Sequence, residues 1–270
     1  VRVLSVFEAN GSAYMVMELE RGVDLEDALS LHQLDDDDAL LAVLYPLVDG
    51  LTYVHRQGFI HRDIKTSNIL LRDDGTPVLL DFGSARRATP RGARNLTTVV
   101  SRGFAPFEQY NHSGDDLKQG PWTDVYSLGA TLYRIISGTL PVDSLTRGRA
   151  FLDGGGDPLA PPTPREGTSF SSALIDAAQS ALALRPVDRP QSAATWADLL
   201  PALGTKRAAA GPAERVPIAH PIGKPQPASV TTVPTISPER IADLNVLVVD
   251  DERHALTMTC LVVESLGVGG

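Results

Sequence analysis

The stretch His61-Arg62-Asp63-Ile64-Lys65-Thr66-Ser67-Asn68 is followed, thirteen positions after Asn68, by Asp81-Phe82-Gly83. Together these residues offer two carboxylates, an ammonium and a side-chain amide on a polar loop and the hairpin behind it. Phosphoryl transfer asks for such a set, because it needs little covalent help and much positioned charge. A carboxylate serves the attacking hydroxyl, a cation serves the transferred phosphate, and oxygen ligands hold Mg²⁺. Mg²⁺ takes a few hard oxygen ligands beside phosphate oxygens, which an Asn amide and one Asp can supply. Taken singly, Asp63, Asn68 or Asp81 reads as a helix cap or a loop residue. It is their joint order and spacing that carries the chemistry.

The elements that must hold these residues can be read from periodicity and turn residues. Val1 to Phe7 and Ala13 to Leu19 are apolar, β-rich runs around Asn10-Gly11, a dipeptide that tolerates the positive φ of a tight turn, so two antiparallel strands are expected. The acids Asp35 to Asp38 precede a helical pattern from Ala39 to Arg56; they read as a helix N-terminus, with a metal site as the alternative. Short strands are expected at Ser67 to Leu71 and Pro77 to Leu80 around Asp73-Asp74-Gly75, followed by a loop to about Phe104. Helical patterns resume at Asp124 to Ile136, Ser171 to Leu184 and Ser192 to Leu203. Residues 204–240 are Pro-rich without helical period and read as an extended linker. Residues 241–270 then offer a strand, Asn245 to Val249, running into Asp250-Asp251 and a helical pattern to about Leu266, with Gly267 as its C-cap. The fold class expected is α+β.

In these motifs the chain resembles the protein kinase family, in the form usual for bacterial Ser/Thr kinases, over residues 1–203. The resemblance implies that Asp63 is the catalytic base and that Lys65 contacts the γ-phosphate of ATP, while Asn68 and Asp81 hold Mg²⁺. His61 and Arg62 complete the catalytic loop, and Phe82 and Gly83 complete the metal-binding turn. Tyr14-Met15-Val16-Met17-Glu18-Leu19-Glu20 resembles the strand that runs into the adenine-binding hinge. Met17 would be its gatekeeper, Glu18 and Glu20 would offer backbone groups to adenine, Asp24 would reach the ribose, and Leu70 would floor the pocket. Ala105-Pro106-Phe107-Glu108 stands where the family closes its activation segment, with Phe107 in place of the usual Pro. Glu108 is expected to pair with Arg189, and Asp124 to brace the catalytic loop from a buried helix. Thr97 and Thr98 are candidate phosphosites that would pair with Arg62, whereas Ser101 belongs to the substrate-positioning stretch. His55 and His112 are expected to be ordinary surface or core histidines.

No Gly-rich phosphate loop with a following Lys precedes Met17, since Lys occurs only at Lys65, Lys118, Lys206 and Lys224, and Gly154-Gly155-Gly156 lacks a strand-loop-helix setting. The front of the small lobe is therefore expected to be missing, the 270 residues alone to be inactive, and the outer edge of the first hairpin to lie open. Val246-Leu247-Val248-Val249-Asp250-Asp251-Glu252 resembles the first strand of a response-regulator receiver domain, in which Asp250 and Asp251 would help hold Mg²⁺. The alternative there is a strand ending in two acids that cap the next helix. A phosphorelay partner would follow from the receiver reading, and protein Ser/Thr hydroxyls are the expected substrates. A non-catalytic kinase-like scaffold regulating the receiver is the alternative function. A two-component histidine kinase is disfavoured, because its ATP-binding motifs do not occur.

Composition narrows the rest. A net charge of −9 argues against nucleic acid or an anionic membrane as partner. Many Ala, Gly and Arg residues suit a GC-rich bacterial genome. One cysteine, Cys260, can form no internal disulfide, so a cytoplasmic setting is expected. No apolar run approaches the roughly 20 residues that span a bilayer. Three Asn-X-Ser/Thr triplets begin at Asn10, Asn95 and Asn111, and in a cytosolic chain they are expected to stay unmodified.

Overall fold

A computed structural model describes residues 3–9, 12–81, 86–87, 100–110, 119–203, 246–251 and 259–263. The chain opens with the antiparallel pair β1 (Val3–Ala9) and β2 (Ser12–Glu18), in register from Val3 opposite Met17 to Ala9 opposite Ser12. A three-stranded sheet follows, built from β3 (Gly22–Asp24), β5 (Ile69–Arg72) and β6 (Pro77–Leu79), with β5 at its centre. Between β3 and β5 come α1 (Leu25–Ser30), α2 (Asp37–Arg56) and the short strand β4 (Phe59–Ile60), which pairs with β7 (Arg86–Arg87). The remaining helices are α3 (Phe107–Tyr110), α4 (Pro121–Ser137), α5 (Ser144–Leu152), α6 (Ser172–Ala181) and α7 (Ala193–Ala197).

The helical body has one main core. Leu40, Leu44, Leu47 and Leu51 of α2 recur at helical spacing and meet Val125, Leu128 and Leu132 of α4, Leu174 and Ala178 of α6, and Trp196 of α7. Burying such side chains is worth about 1.5–3 kcal/mol each, so this core holds α2 and α4, the two helices that flank the catalytic loop. The packing of α4 on α6 depends on Gly129, where an added Cβ would stand 2.5 Å from the Ala181 Cβ. Helix α4 ends at Gly138, whose φ of 71° is the left-handed C-cap that a side chain would strain.

The acids before α2 serve structure. Asp36 caps the helix by accepting the Ala39 N–H at 2.8 Å, Asp35 pairs with Arg165 at 2.8 Å, and Asp37 accepts the Ser171 N–H at 2.9 Å. The helices expected at Ser171 to Leu184 and Ser192 to Leu203 are shorter than their periodic runs. Helix α6 stops at Ala181, and its Ser171 side chain caps the start. Helix α7 covers only Ala193–Ala197. Ser67 and Asn68 lie in a 3₁₀ turn, Thr66–Asn68, and not in a strand; β5 begins at Ile69.

The last segment departs most from expectation. β8 (Val246–Asp251) is a strand, but it pairs antiparallel with β2, from Ala13 opposite Asp251 to Glu18 opposite Val246. Thr259–Val263, expected to be helical, forms β9 and pairs antiparallel with β8. The four strands form one sheet in the order β1-β2-β8-β9. Two physical reasons act together. Thr259-Cys260-Leu261-Val262-Val263 is rich in β-branched residues, and the backbone N–H and C=O groups on the free edge of β2 need partners. So the outer edge of β2 is covered, and the described residues of this segment form no βα unit of the receiver type. The linker reading of 204–240 lies outside the described residues. Among the described residues no helix is long and apolar enough to cross a membrane.

Candidate active site

The site is built on Asp124, near the start of α4. Its carboxylate is fully buried and accepts three hydrogen bonds: the His61 N–H at 2.8 Å, the Arg62 N–H at 2.8 Å and the His55 Nε2–H at 2.7 Å. A buried carboxylate without partners would be costly; here it organises the loop that follows β4. Arg62 is held at φ 73°, a conformation an L-residue adopts only when its surroundings compel it. His55, on the last turn of α2, is thus a partner of Asp124 and more than an ordinary core histidine. Its spacing of six residues before His61 carried no signal by itself, because only the tertiary fold brings His55 to Asp124.

His61 is buried and donates from Nε2 to the Leu80 carbonyl at 3.1 Å. That leaves Nδ1 as acceptor, toward the Asp63 N–H at 3.4 Å. Burial pushes the His61 pKa below its ordinary value, against the opposing pull of Asp124, so the ring is neutral at pH 7. Leu80 also donates its N–H to the Asn68 carbonyl at 2.8 Å. These two bonds tie the residue before Asp81 to the catalytic loop, and Asp81 itself takes a left-handed φ of 62°.

Asp63 lies at the centre. Its Oδ1 accepts the Ser101 hydroxyl at 2.7 Å, and its Oδ2 accepts Lys65 Nζ at 2.9 Å and Asn68 Nδ2 at 2.8 Å. Asn68 Nδ2 also donates to the Asp63 carbonyl at 2.9 Å. Both partners are acceptors, which fixes the amide orientation and leaves the Asn68 oxygen without a contact among the described residues. An amide oxygen and the Asp81 carboxylate are hard donors suited to Mg²⁺. Lys65 Nζ reaches Ser101 Oγ at 3.0 Å. A hydroxyl therefore sits between the carboxylate of Asp63 and the ammonium of Lys65, the arrangement a hydroxyl nucleophile needs.

The segment after Ser101 is pinned to the helical body. Glu108 and Arg189 form a bidentate pair at 2.7 and 3.2 Å with both side chains fully buried. Arg189 also donates to the Ala183 and Leu184 carbonyls and lies 4.8 Å from the Tyr126 ring centroid. Thr123 donates to Glu108 Oε1 at 3.2 Å. Gln109, next in sequence, donates from Nε2 to the Arg62 carbonyl at 2.6 Å. Nothing in the spacing of Gln109 marked it for that contact.

On the hinge side, Met17 and Glu18 end β2, each with a strand partner on β8: Leu247 and Val246. The Glu20 carboxylate is gripped by Arg72 through two bonds of 2.7 Å, which hold its pKa below the usual carboxylate value. Asp24 Oδ1 caps α1 by accepting the Asp27 N–H at 2.8 Å, so one of its oxygens is committed to structure. Leu70 lies opposite Asp24 in the β3–β5 ladder and is half-buried. Asp250 and Asp251, expected to help hold Mg²⁺ in a receiver domain, lie on β8 opposite Tyr14 and Ala13, at the end of β2 away from Glu18. Phe82, Gly83, Thr97, Thr98 and His112 lie outside the described residues.

An open cavity of about 600 Å³ adjoins the loop, lined by Glu26, Thr66, Ser67, Phe104, Arg134 and Leu140 among others. Thr66 donates to Glu26 Oε2 at 2.7 Å, and Arg134 pairs with the same carboxylate. Glu26 and Arg134 therefore neutralise each other at its wall.

The protein kinase domain model matches residues 1–198. Serine/threonine-protein kinase PknL of Mycobacterium tuberculosis is 37% identical over 131 residues, which are 47% of this chain and 31% of that protein. Serine/threonine-protein kinase F of Synechocystis sp. is 38% identical over 133 residues, 48% of this chain and 26% of that protein. Serine/threonine-protein kinase pkn2 of Myxococcus xanthus is 30% identical over 237 residues, covering 86% of this chain and 28% of that protein. The chain thus spans less than a third of the length of each of these relatives. Among solved structures, the apo form of PpkA-294 superposes with a TM-score of 0.58 at 33% identity, covering 74% of this chain and 67% of that one. With the catalytic loop, the buried Glu108–Arg189 pair and these matches in hand, the chain belongs to the protein kinase family.

Proposed function

We propose that the full-length protein is a Ser/Thr protein kinase, transferring the γ-phosphate of ATP to a protein hydroxyl. The observation that carries this reading is the cluster of Asp63, Lys65, Asn68 and Ser101, in which a carboxylate and an ammonium flank one hydroxyl at 2.7 and 3.0 Å. In the reaction Asp63 orients the acceptor hydroxyl and receives its proton. The hydroxyl oxygen forms the new bond to the γ-phosphorus as the bond to the β-phosphate oxygen breaks and ADP leaves. Lys65 offsets charge on the transferred group. Asn68 and Asp81 would hold Mg²⁺, whose contribution is to neutralise phosphate charge. The cavity beside Thr66, Ser67 and Phe104 offers room for substrate chain next to the acceptor position.

The sequence ahead of β2 contains no Gly-rich loop and no Lys to cover ATP phosphates. The 270 residues by themselves therefore supply the acceptor half of the reaction and transfer no phosphate. β8 pairs with β2 and Thr259–Val263 is a strand, so the described residues lend the phosphorelay reading no support. The experiment is a kinase assay of the full-length protein on a generic Ser/Thr substrate, with Asp63→Asn beside it. Activity is expected to fall about 10²–10⁴-fold with the circular dichroism spectrum unchanged. A variant within a few-fold of the parent would remove the kinase reading and favour a scaffold.

A further inference from the structure

We propose that Gln109 is a positioning residue for phosphotransfer, holding the Arg62–Asp63 peptide so that the Asp63 carboxylate faces the acceptor hydroxyl. This rests on the kinase reading above. The Arg62 carbonyl belongs to the same peptide unit as the Asp63 N–H. That unit is held at its oxygen by Gln109 Nε2, at 2.6 Å, and at its N–H by His61 Nδ1, at 3.4 Å. The peptide before it is held by Asp124 through the Arg62 N–H at 2.8 Å. Arg62 stays in its strained conformation, φ 73°, between these contacts. A strained residue persists only where its surroundings over-determine it, and such positions cluster where geometry is needed for chemistry.

The state of the Gln109 amide points the same way. The side chain is 2% exposed, yet its Oε1 has no partner among the described residues. A buried amide that uses one end and leaves the other bare costs stability compared with an aliphatic side chain of similar size. Stability alone gives little reason for Gln here; the bond to the Arg62 carbonyl does. Gln109 follows Glu108, which Arg189 fixes to the helical body. The position of the segment from Ser101 to Tyr110 is thereby transmitted to the residue before Asp63 through one hydrogen bond.

The test uses the full-length protein and steady-state kinetics. Gln109→Leu removes the donor at similar volume. It is expected to lower kcat roughly ten- to hundredfold, with the KM for ATP and the urea midpoint close to those of the parent. Gln109→Glu presents a carboxylate, which cannot donate to the Arg62 carbonyl until it is protonated, and burial raises the pKa of such an acid. Its activity relative to the parent should therefore recover as pH falls from about 8 to about 6, whereas Gln109→Leu should show no such recovery. Because each pH profile is normalised to its own sample and Gln109→Glu is compared with the parent, this test stands even if Gln109→Leu folds poorly. A Gln109→Leu kcat within twofold of the parent, or a Gln109→Glu pH profile parallel to the parent's, would overturn the proposal. Asp63→Asn run alongside separates the two readings. If Asp63→Asn is inactive and Gln109→Leu is normal, only the positioning role fails. If Asp63→Asn stays active, both fail.

Discussion

Asp124 Oδ1 receives the Arg62 N–H at 2.8 Å, joining the fully buried acid of α4 to a backbone residue at φ 73°. The other oxygen takes the His61 N–H and His55 Nε2. A helix inside the core thus sets the path of a polar loop at the surface of the cleft. Local sequence alone gives Arg62 no reason to adopt that conformation.

Asp124→Asn replaces one of these acceptor oxygens with a donor. An amide cannot accept all three bonds, and its N–H₂ would face N–H groups that also donate. Stability should fall by about 2–4 kcal/mol, measured by urea unfolding, and the activity of whatever remains folded should fall with it. A loss below 0.5 kcal/mol, taken as roughly the scatter of surface substitutions, would show that the loop holds itself.

Arg189→Ala leaves Glu108 buried without its cation. A cost of about 3–5 kcal/mol is expected, as for other broken buried pairs. The double variant Glu108→Leu, Arg189→Met should be more stable than Arg189→Ala, because no uncompensated charge remains. The comparison is made by thermal and urea unfolding of both proteins. A double variant less stable than the single one would mean that Glu108 contributes more through its remaining contacts, such as the Thr123 hydroxyl, than its unpaired charge costs.

His61 gives stability a pH dependence of known sign. Its folded pKa lies below 6.5, mainly through burial. Below pH 6.5 the unfolded chain therefore binds a proton that the folded chain refuses. The contribution is fully present above that pH and is lost as pH falls toward the folded pKa, with a limiting slope of about 1.4 kcal/mol per pH unit. His61→Phe should flatten this part of the curve below about pH 6.5, even though it loses the bond to the Leu80 carbonyl. Parallel curves for the two proteins would place the proton uptake elsewhere.

Gly129→Ala tests the contact of α4 with α6. The new methyl would need the space now filled by the Ala181 Cβ, 2.5 Å away. Ala favours the helix by roughly 1 kcal/mol over Gly, while overpacking costs about 1–3 kcal/mol. The net effect should be destabilising, and Ala181→Gly in the same chain should restore it. An increase in the unfolding midpoint for Gly129→Ala alone would show that the two helices separate freely.

The amino-acid sequence by itself determined the chemistry on offer: Asp63, Lys65, Asn68 and Asp81 at fixed spacing, and α2, α4 and α6 as amphipathic runs around one core. These features are local. Motif spacing sets which groups share a loop, and apolar periodicity sets which face of a helix is buried. Even there, α6 stops at Ala181 and α7 at Ala197, short of their periodic runs, while Ser171 and Ser192 cap the starts the sequence marked. Only the tertiary structure decided that His55 meets Asp124, that Gln109 meets Arg62, and that Glu20 is held by Arg72, since each contact joins segments brought together by core packing. It also decided the fate of Val246–Asp251 and Thr259–Val263. Their sequence admits strand or the start of a βα unit, and the edge of β2, whose backbone groups β8 pairs, goes with the strand.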